Sequence, residues 1–369
     1  MLIFLGIVFL VYGSLHLYAL GKLWQLLPHS PGMAALVITA GILLTLTPFI
    51  VWYLERQHWH RATTLAAWAS YLWMGYVFLF FWVGLLFDAG QLLATFFRHA
   101  WPLTVSANVS GIALLAFVAL LYGLFEAGSI RIERITLHSP KLAGRSITIA
   151  QLSDMHLGAM SGTAFLDKVM DRLIELKPDI VVATGDIVDG QGDNLNAMSS
   201  HFHRYAAPMG NYAVTGNHEH FMGLARSLGF LRSAGFTVLR GETIHAGNIV
   251  IAGVDDHTAR VADAPAESEI AAQLDSQHEK NFVLLLKHQP IVNDAEKFDL
   301  QLSGHIHGGQ IFPFGYLTRL SYRFGTGLTQ LPDGRTLYVS RGTGTWGPPI
   351  RLLAPPEITL ITLMPETGG

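Results

Sequence analysis

Asp179-Ile180-Val181-Val182-Ala183-Thr184-Gly185-Asp186-Ile187-Val188-Asp189 begins as a short β-branched run and ends on a glycine and two aspartates. A run of this kind bounded by a turn residue reads as a strand buried on both faces. Here the strand carries an acid to its end. The same device recurs on both sides of it. Ile147–Leu152 leads into Asp154-Met155-His156, and Asn211–Thr215 into Gly216-Asn217-His218-Glu219. Asn281–Lys287 leads into His288, and Leu300–Ser303 into Gly304-His305-Ile306-His307. Asn248–Val254 is a further strand of this type, and Arg131–Leu137 alternates as a half-exposed one. Thr163–Leu176 has helical spacing at Phe165, Val169, Leu173 and Leu176, and Pro178 ends it. Buried strands with helices between them give an α/β class. In a layered α/β domain, strand ends on one edge converge on a crevice.

The residues at these five ends are aspartates, an asparagine and histidines, which suit divalent cations. The chain has no cysteine, so thiolate sites and disulfides are absent. In order and type the pieces match D-x-H, G-D-x-x-D, G-N-H-[DE], a lone His and G-H-x-H. From Ile147 onward the chain resembles the calcineurin-like metallophosphoesterases. The resemblance implies a four-layer α-β-β-α sandwich of two mixed sheets between helices, with the site at one edge, in a domain spanning residues 129–369.

It also implies two divalent metal ions, manganese first, with Fe, Zn or Mg as alternatives. Asp186 would bridge them, with Asp154, His156 and His307 completing one ion and Asn217, His288 and His305 the other. The pair would turn a bridging water into hydroxide and neutralise a phosphoryl group during in-line attack. The family assigns His218 to catalysis, at a phosphate oxygen or the leaving group, and Asp189 and Glu219 would orient ligand histidines. The glycines before Asp186, Asn217 and His305 fit a backbone packed too tightly for a Cβ. His201, His203, His220, His245 and His278 match no motif position and read as solvated. Asp255-Asp256-His257 reads equally as pocket lining or as a strand-end turn.

The first third is different. Half of the chain is apolar, and the excess lies before Gly128. There the charged residues are Lys22, Glu55, Arg56, Arg61, Asp88, Arg98 and Glu126, against 24 basic and 27 acidic residues in the whole chain. Residues 1–128 form a transmembrane region with four runs long enough for a bilayer core of about 30 Å, which needs roughly 20 helical residues. They are Leu2–Leu20, Met33–Leu54, Leu65–Phe87 and Val109–Phe125. The first lacks the basic start and cleavage pattern of a signal peptide. Trp52, Tyr53 and Trp59 suit an interfacial belt. With four spans, Arg56, Arg61, Arg131, Arg134, Lys141 and Arg145 share one side, and Lys22 and Arg98 the other. The positive-inside rule then puts the catalytic domain in the cytoplasm, at the inner membrane. Asp88 and Glu126 read as helix-end residues exposed to headgroups, and His16 as paired with another helix. The net charge of −3 gives no hint of nucleic-acid binding.

One stretch after the last motif combines aromatic and basic residues. Ile311–Phe324 holds Phe312, Phe314, Tyr316, Tyr322 and Phe324 with Arg319 and Arg323, and no acid. It reads either as a loop packed on the domain or, preferred beside a metal site, as a contact with lipid or substrate at the membrane surface. Gly308-Gly309-Gln310, Gly342-Thr343-Gly344 and Pro348-Pro349 resemble the membrane-associated bacterial branch of the family. That branch includes phosphodiesterases of loose specificity and enzymes that cleave the pyrophosphate of a UDP-linked diacylglucosamine. The expectation is a membrane-anchored phosphohydrolase acting on a phosphoester or pyrophosphate, lipid-linked or at the membrane surface. Its rivals are a nucleotide phosphodiesterase merely tethered to the bilayer and a non-catalytic membrane sensor or scaffold.

Overall fold

The structure is a computed structural model and describes residues 2–142, 144–190, 194–258 and 267–366. The chain divides into two units. One takes Met1–Phe125 with Gly347–Ile350, and the other takes Glu126–Trp346 with Arg351–Gly369.

The first unit is helical: α1 (Leu2–Trp24), α2 (Pro31–Arg56), α3 (His60–Phe96) and α4 (Val105–Ala127). Pro31 occupies the first helical position of α2, and the Ser30 hydroxyl accepts from the Met33 N–H at 3.2 Å. Both are standard ways to begin a helix. Among the described residues, three helices are long and apolar enough to cross a membrane, namely α2, α3 and α4. Leu36, Ile38, Leu86, Leu92, Leu114 and Phe125 are each more than half exposed. In water so much bare leucine, isoleucine and phenylalanine would be costly, and in lipid it is not. Polar side chains turn inward instead. The Trp73 indole N–H donates to His16 Nε2 at 2.8 Å, so Nδ1–H of His16 donates to the Tyr12 carbonyl at 2.9 Å. His16 is thus paired across helices, as expected.

Asp88 departs from the sequence reading. It lies inside α3 rather than at its end, because Ala89 to Thr95 contains good helix formers and no proline. Its carboxylate pairs with Lys22 and accepts the Tyr18 hydroxyl at 2.6 Å. Glu126 also differs: it is buried rather than exposed at a helix end, and Arg131 lies 3.8 Å away.

The second unit runs β1 (Arg131–Ser139), β2 (Ile147–Leu152), α5 (Thr163–Leu176), β3 (Ile180–Thr184), α6 (Asn194–Phe202), β4 (Asn211–Val214), α7 (Asn217–Phe221), α8 (Leu224–Ser233), β5 (Thr237–Val238), β6 (Glu242–Ala246), β7 (Ile249–Gly253), α9 (Glu267–His278), β8 (Phe282–Leu286), β9 (Leu300–Ser303), α10 (Gly315–Ser321), β10 (Gly327–Gln330), β11 (Thr336–Val339) and β12 (Glu357–Pro365). One six-stranded sheet has the order β1-β12-β2-β3-β4-β5, and the other β10-β11-β9-β8-β7-β6. Both are mixed: β12 is antiparallel to β2, and β6 to β7 and β10 to β11 are antiparallel.

The period-2 alternation of strands sorts the core into layers. Ile149, Val182 and Val214 of the first sheet meet Ile251, Leu284 and Leu302 of the second in one buried cluster. On the opposite face of the first sheet, Ala150, Val181 and Ala183 pack with Leu166 and Val169 of α5, Phe202 of α6 and Leu231 of α8. On the outer face of the second sheet, Val250, Val283 and Leu285 pack with Ile270 and Leu274 of α9. The layers are therefore helix, sheet, sheet and helix.

Candidate metal centre

Parallel pairing of β2, β3 and β4 brings their carboxyl ends to one edge, and β8 and β9 do the same in the second sheet. The β2–β3 register continues into the loops beyond. The Asp154 N–H donates to the Gly185 carbonyl and the His156 N–H to the Asp186 carbonyl, both at 3.0 Å. Asp154, His156, Asp186, His305 and His307 all have positive φ, between 48° and 73°. Non-glycine residues rarely adopt that conformation, and it gathers at functional sites. Crowding explains two of the neighbouring glycines. A Cβ on Gly216 would stand 2.2 Å from Asp186 Oδ1, and one on Gly304 would stand 2.2 Å from Asp154 Oδ2.

Every residue expected at the metals lies in this cluster. Asp154, His156 and His307 form one group of donor atoms, and Asp186, His288 and His305 another, each within 4.8 Å. His156 Nε2 faces His307 Nε2 at 3.0 Å, and His307 Nε2 is 3.4 Å from Asp154 Oδ1. His288 Nε2 lies 3.1 Å from Asp186 Oδ2, 3.2 Å from Asn217 Oδ1 and 3.1 Å from His305 Nδ1. Ring nitrogens aimed at one another and at carboxylate oxygens share lone pairs that a cation satisfies together.

The electrostatics point the same way. Burial works against the charged form of Asp186, yet His288, His218 and His156 around it hold its carboxyl well below the usual range. Burial likewise pulls His288 down, but the carboxylates of Asp186, Asp154 and Asp256 draw it up to about 10. Burial and the neighbouring His288 push His305 down to about 3. The donor set of carboxylates, an amide oxygen and imidazoles fits divalent cations.

Around the donors, Asp189 spans two histidines. Its Oδ1 is 2.6 Å from His218 Nδ1 and its Oδ2 is 3.3 Å from His156 Nδ1. Glu219 differs from expectation, because it touches no ligand histidine. Its carboxylate accepts the backbone N–H groups of Asp186, Ile187, Val188 and Gly216 at 2.7–3.0 Å. It ties the β3 loop to the β4 loop; burial and the neighbouring Asp186 carboxylate push its carboxyl up, and the backbone donors of Val188 and Gly216 work against that rise. Asp255 pairs with Arg240, and buried Asp256 accepts from Gln289 and Thr258, so this turn stands behind the site.

A family model described as calcineurin-like phosphoesterase matches residues 147–309. A metallophosphoesterase of Aquifex aeolicus is 42% identical over 255 residues, which is 67% of this chain and 98% of that one. The chain is a calcineurin-like metallophosphoesterase. A Helicobacter pylori metallophosphoesterase is 32% identical over 262 residues, 68% of this chain and 70% of that one. A Danio rerio transmembrane protein with metallophosphoesterase domain is 29% identical over 327 residues, 83% of this chain and 74% of that one. As a metallophosphoesterase the chain is a metal-dependent phosphoric ester hydrolase.

The metallophosphoesterase site holds residues that no motif flagged. Arg351 is fully buried and donates to the carbonyls of His307, Arg341, Gly344 and Ala354, with Nη2 3.2 Å from His307 Nδ1. Burial pushes its guanidinium down to about 10, still charged at neutral pH. The rings of Phe221 and Trp346 stand edge-on to His218, each 5.8 Å away between centroids. Gln310 holds Trp346 by a reciprocal pair: its Nε2 donates to the Trp346 carbonyl and its Oε1 accepts the Trp346 N–H.

The aromatic and basic stretch divides. Phe312, Phe314 and Tyr316 are exposed, as are Arg319 and Arg323, and Leu317 and Leu320 join them, the latter 84% exposed. At 3.6 residues per turn, Tyr316, Leu317 and Leu320 lie within about 100° of arc on α10. Tyr322 and Phe324 turn inward instead. Phe324 packs on the buried cores, and Tyr322 reaches His305. Alternation along this extended segment puts Tyr322 and Phe324 on one side and Arg323 on the other, which a list of residue types does not reveal.

Proposed function

We propose that this metallophosphoesterase is anchored in the inner membrane and hydrolyses a lipid-linked or membrane-surface phosphoester or pyrophosphate with two divalent ions, manganese first. Asp186 would bridge the ions. Asp154, His156 and His307 would hold one, and Asn217, His288 and His305 the other. The observation that carries the reading is the paired donor groups at the strand ends, with Asp186 facing both. Two divalent ions there would supply hydroxide at neutral pH and neutralise developing phosphoryl charge. Asp189 holds the His218 imidazole by Nδ1, which leaves Nε2 for a phosphate oxygen or the leaving group. Burial lowers His218 and the Asp189 carboxylate raises it, to about 9. Glu219 keeps the Asp186 and Asn217 loops in register.

The membrane-surface part of the reading is supported by the exposed face of Phe312, Phe314, Tyr316, Leu317 and Leu320 beside Arg319 and Arg323. Apolar side chains at headgroup depth and arginines on phosphates favour such a surface, each cation by about 1 kcal/mol. Arg319→Ala with Arg323→Ala should therefore weaken hydrolysis of a lipid substrate in anionic vesicles by roughly thirtyfold. Hydrolysis of a small soluble diester should stay near wild type. Equal losses on both substrates would mean the segment supports only the fold or the metals. No loss on either would favour a tethered nucleotide phosphodiesterase.

We also propose four spans, α1 included, with the catalytic unit in the cytoplasm. The support is the loop charge bias, six basic residues on that side against Lys22 and Arg98 on the other. A fluorescent protein fused to the C-terminus should glow, and an alkaline phosphatase fusion should be silent. The opposite pattern would invert the topology.

A further inference from the structure

Tyr322 lies in the stretch whose aromatics suggested a membrane contact, yet its hydroxyl points at the metal cluster. It sits 2.6 Å from His305 Nε2 and 3.1 Å from Gln289 Oε1. Gln289 is buried, and its amide nitrogen reaches both oxygens of Asp256, at 3.1 and 2.9 Å. Asp256 is itself buried and takes two further donors, the N–H and hydroxyl of Thr258, at 2.9 and 2.7 Å.

The proton positions follow from this chain. A carboxylate receiving these donors is an acceptor only, so the NH₂ end of Gln289 must face it. The Gln289 oxygen is thereby turned toward Tyr322. A phenol has one proton, and Gln289 Oε1 cannot donate, so that proton goes to Gln289. If it went to His305 instead, two oxygen acceptors would face each other at 3.1 Å in a buried site. The phenol oxygen then accepts from His305, which must carry its proton on Nε2. His305 Nδ1 keeps its lone pair, and this is the atom that faces His288 Nε2 at 3.1 Å.

We infer that Tyr322 is a positioning residue of the metal centre: with Gln289 and Asp256 it fixes His305 in the Nε2–H tautomer and aims Nδ1 at the second ion. Hydrogen bonds to the far nitrogen set tautomer, ring orientation and basicity of a ligand histidine. The inference rests on His305 being a metal ligand.

The test is Mn²⁺ titration of the full chain in detergent, followed by calorimetry and by the spin-coupled signal of a Mn²⁺ pair in electron paramagnetic resonance. Tyr322→Phe removes the hydroxyl and keeps the ring. It should weaken the second ion by about 10–100-fold and leave the first unchanged. The pair signal should then appear only at higher Mn²⁺. Gln289→Met, which frees the phenol proton to turn toward His305, should shift the same ion in the same direction. A second ion bound with wild-type affinity in Tyr322→Phe overturns the inference. So does equal weakening of both ions with a lowered melting temperature, since that marks a packing role. Loss of vesicle binding with both ions intact overturns it too, and returns Tyr322 to the lipid surface. If the unaltered chain binds fewer than two Mn²⁺ ions, the two-metal reading itself falls, and this inference with it.

Discussion

Asp186→Asn should nearly abolish hydrolysis and reduce bound metal to one ion or none per chain. The side chain is 3% exposed and faces both donor groups, with Oδ2 3.1 Å from His288 Nε2 and 4.0 Å from His156 Nε2. Its Oδ1 also accepts the His218 N–H at 2.8 Å, which joins it to the neighbouring ligand loop. An amide there keeps the shape and removes the charge. It also presents an NH₂ group either to a histidine lone pair or to a cation. Taking one partner from a buried ionic cluster costs about 3–5 kcal/mol, or roughly 10²–10⁴-fold in an equilibrium. Metal content by plasma mass spectrometry and turnover of bis-p-nitrophenyl phosphate measure the two effects. Two ions per chain and wild-type turnover would remove the dinuclear assignment.

His218→Asn should act on rate and spare the metals. Turnover should fall by about 10²–10⁴-fold, the usual range for a positioned acid or base. The ring is fixed by Asp189 rather than free to swing, and Phe221 and Trp346 flank it, so its orientation is built in. The loss should shrink for esters with good leaving groups, which need little help from an acid. There is a concrete alternative outcome, because His218, Asp189 and His156 together also have ligand-like spacing. Collapse of metal loading in His218→Asn would make the histidine a ligand and end its assignment as the acid.

The strands at the site were readable because each is a short apolar run cut off by a polar motif. β2, β3, β4, β8 and β9 all fit that description, and α5 carries both its apolar spacing and its terminating proline. What eluded the sequence shares a different physical character. β12 is wedged between β1 and β2 by pairing across more than two hundred residues, which no local pattern encodes. Glu219 could be placed near the histidines, but its partners are backbone N–H groups, identical at every position. Arg351 earns no motif, since its work is to gather carbonyls from four separate positions. Asp88 lies mid-helix because helix propensity continues past a charge that Lys22 neutralises, and the Tyr18 hydroxyl hydrogen-bonds, from another helix. Tyr322 and Phe324 look like their exposed neighbours in composition and differ only in direction.

The two sheets carry separate hydrogen-bond ladders, and the donor groups are drawn from both. Asp154 and His156 follow a strand of the first sheet, whereas their companion His307 follows one of the second. Asn217 and Asp186 follow the first, whereas His288 and His305 follow the second. Each ion would thus be clasped by two independently built slabs, like a rivet through overlapping plates. Sliding one slab against the other by a single residue would break both coordination sets at once. With the ligands so divided, neither half of the domain alone would hold an ion, and hydrolysis would become a readout of whether the two slabs have met.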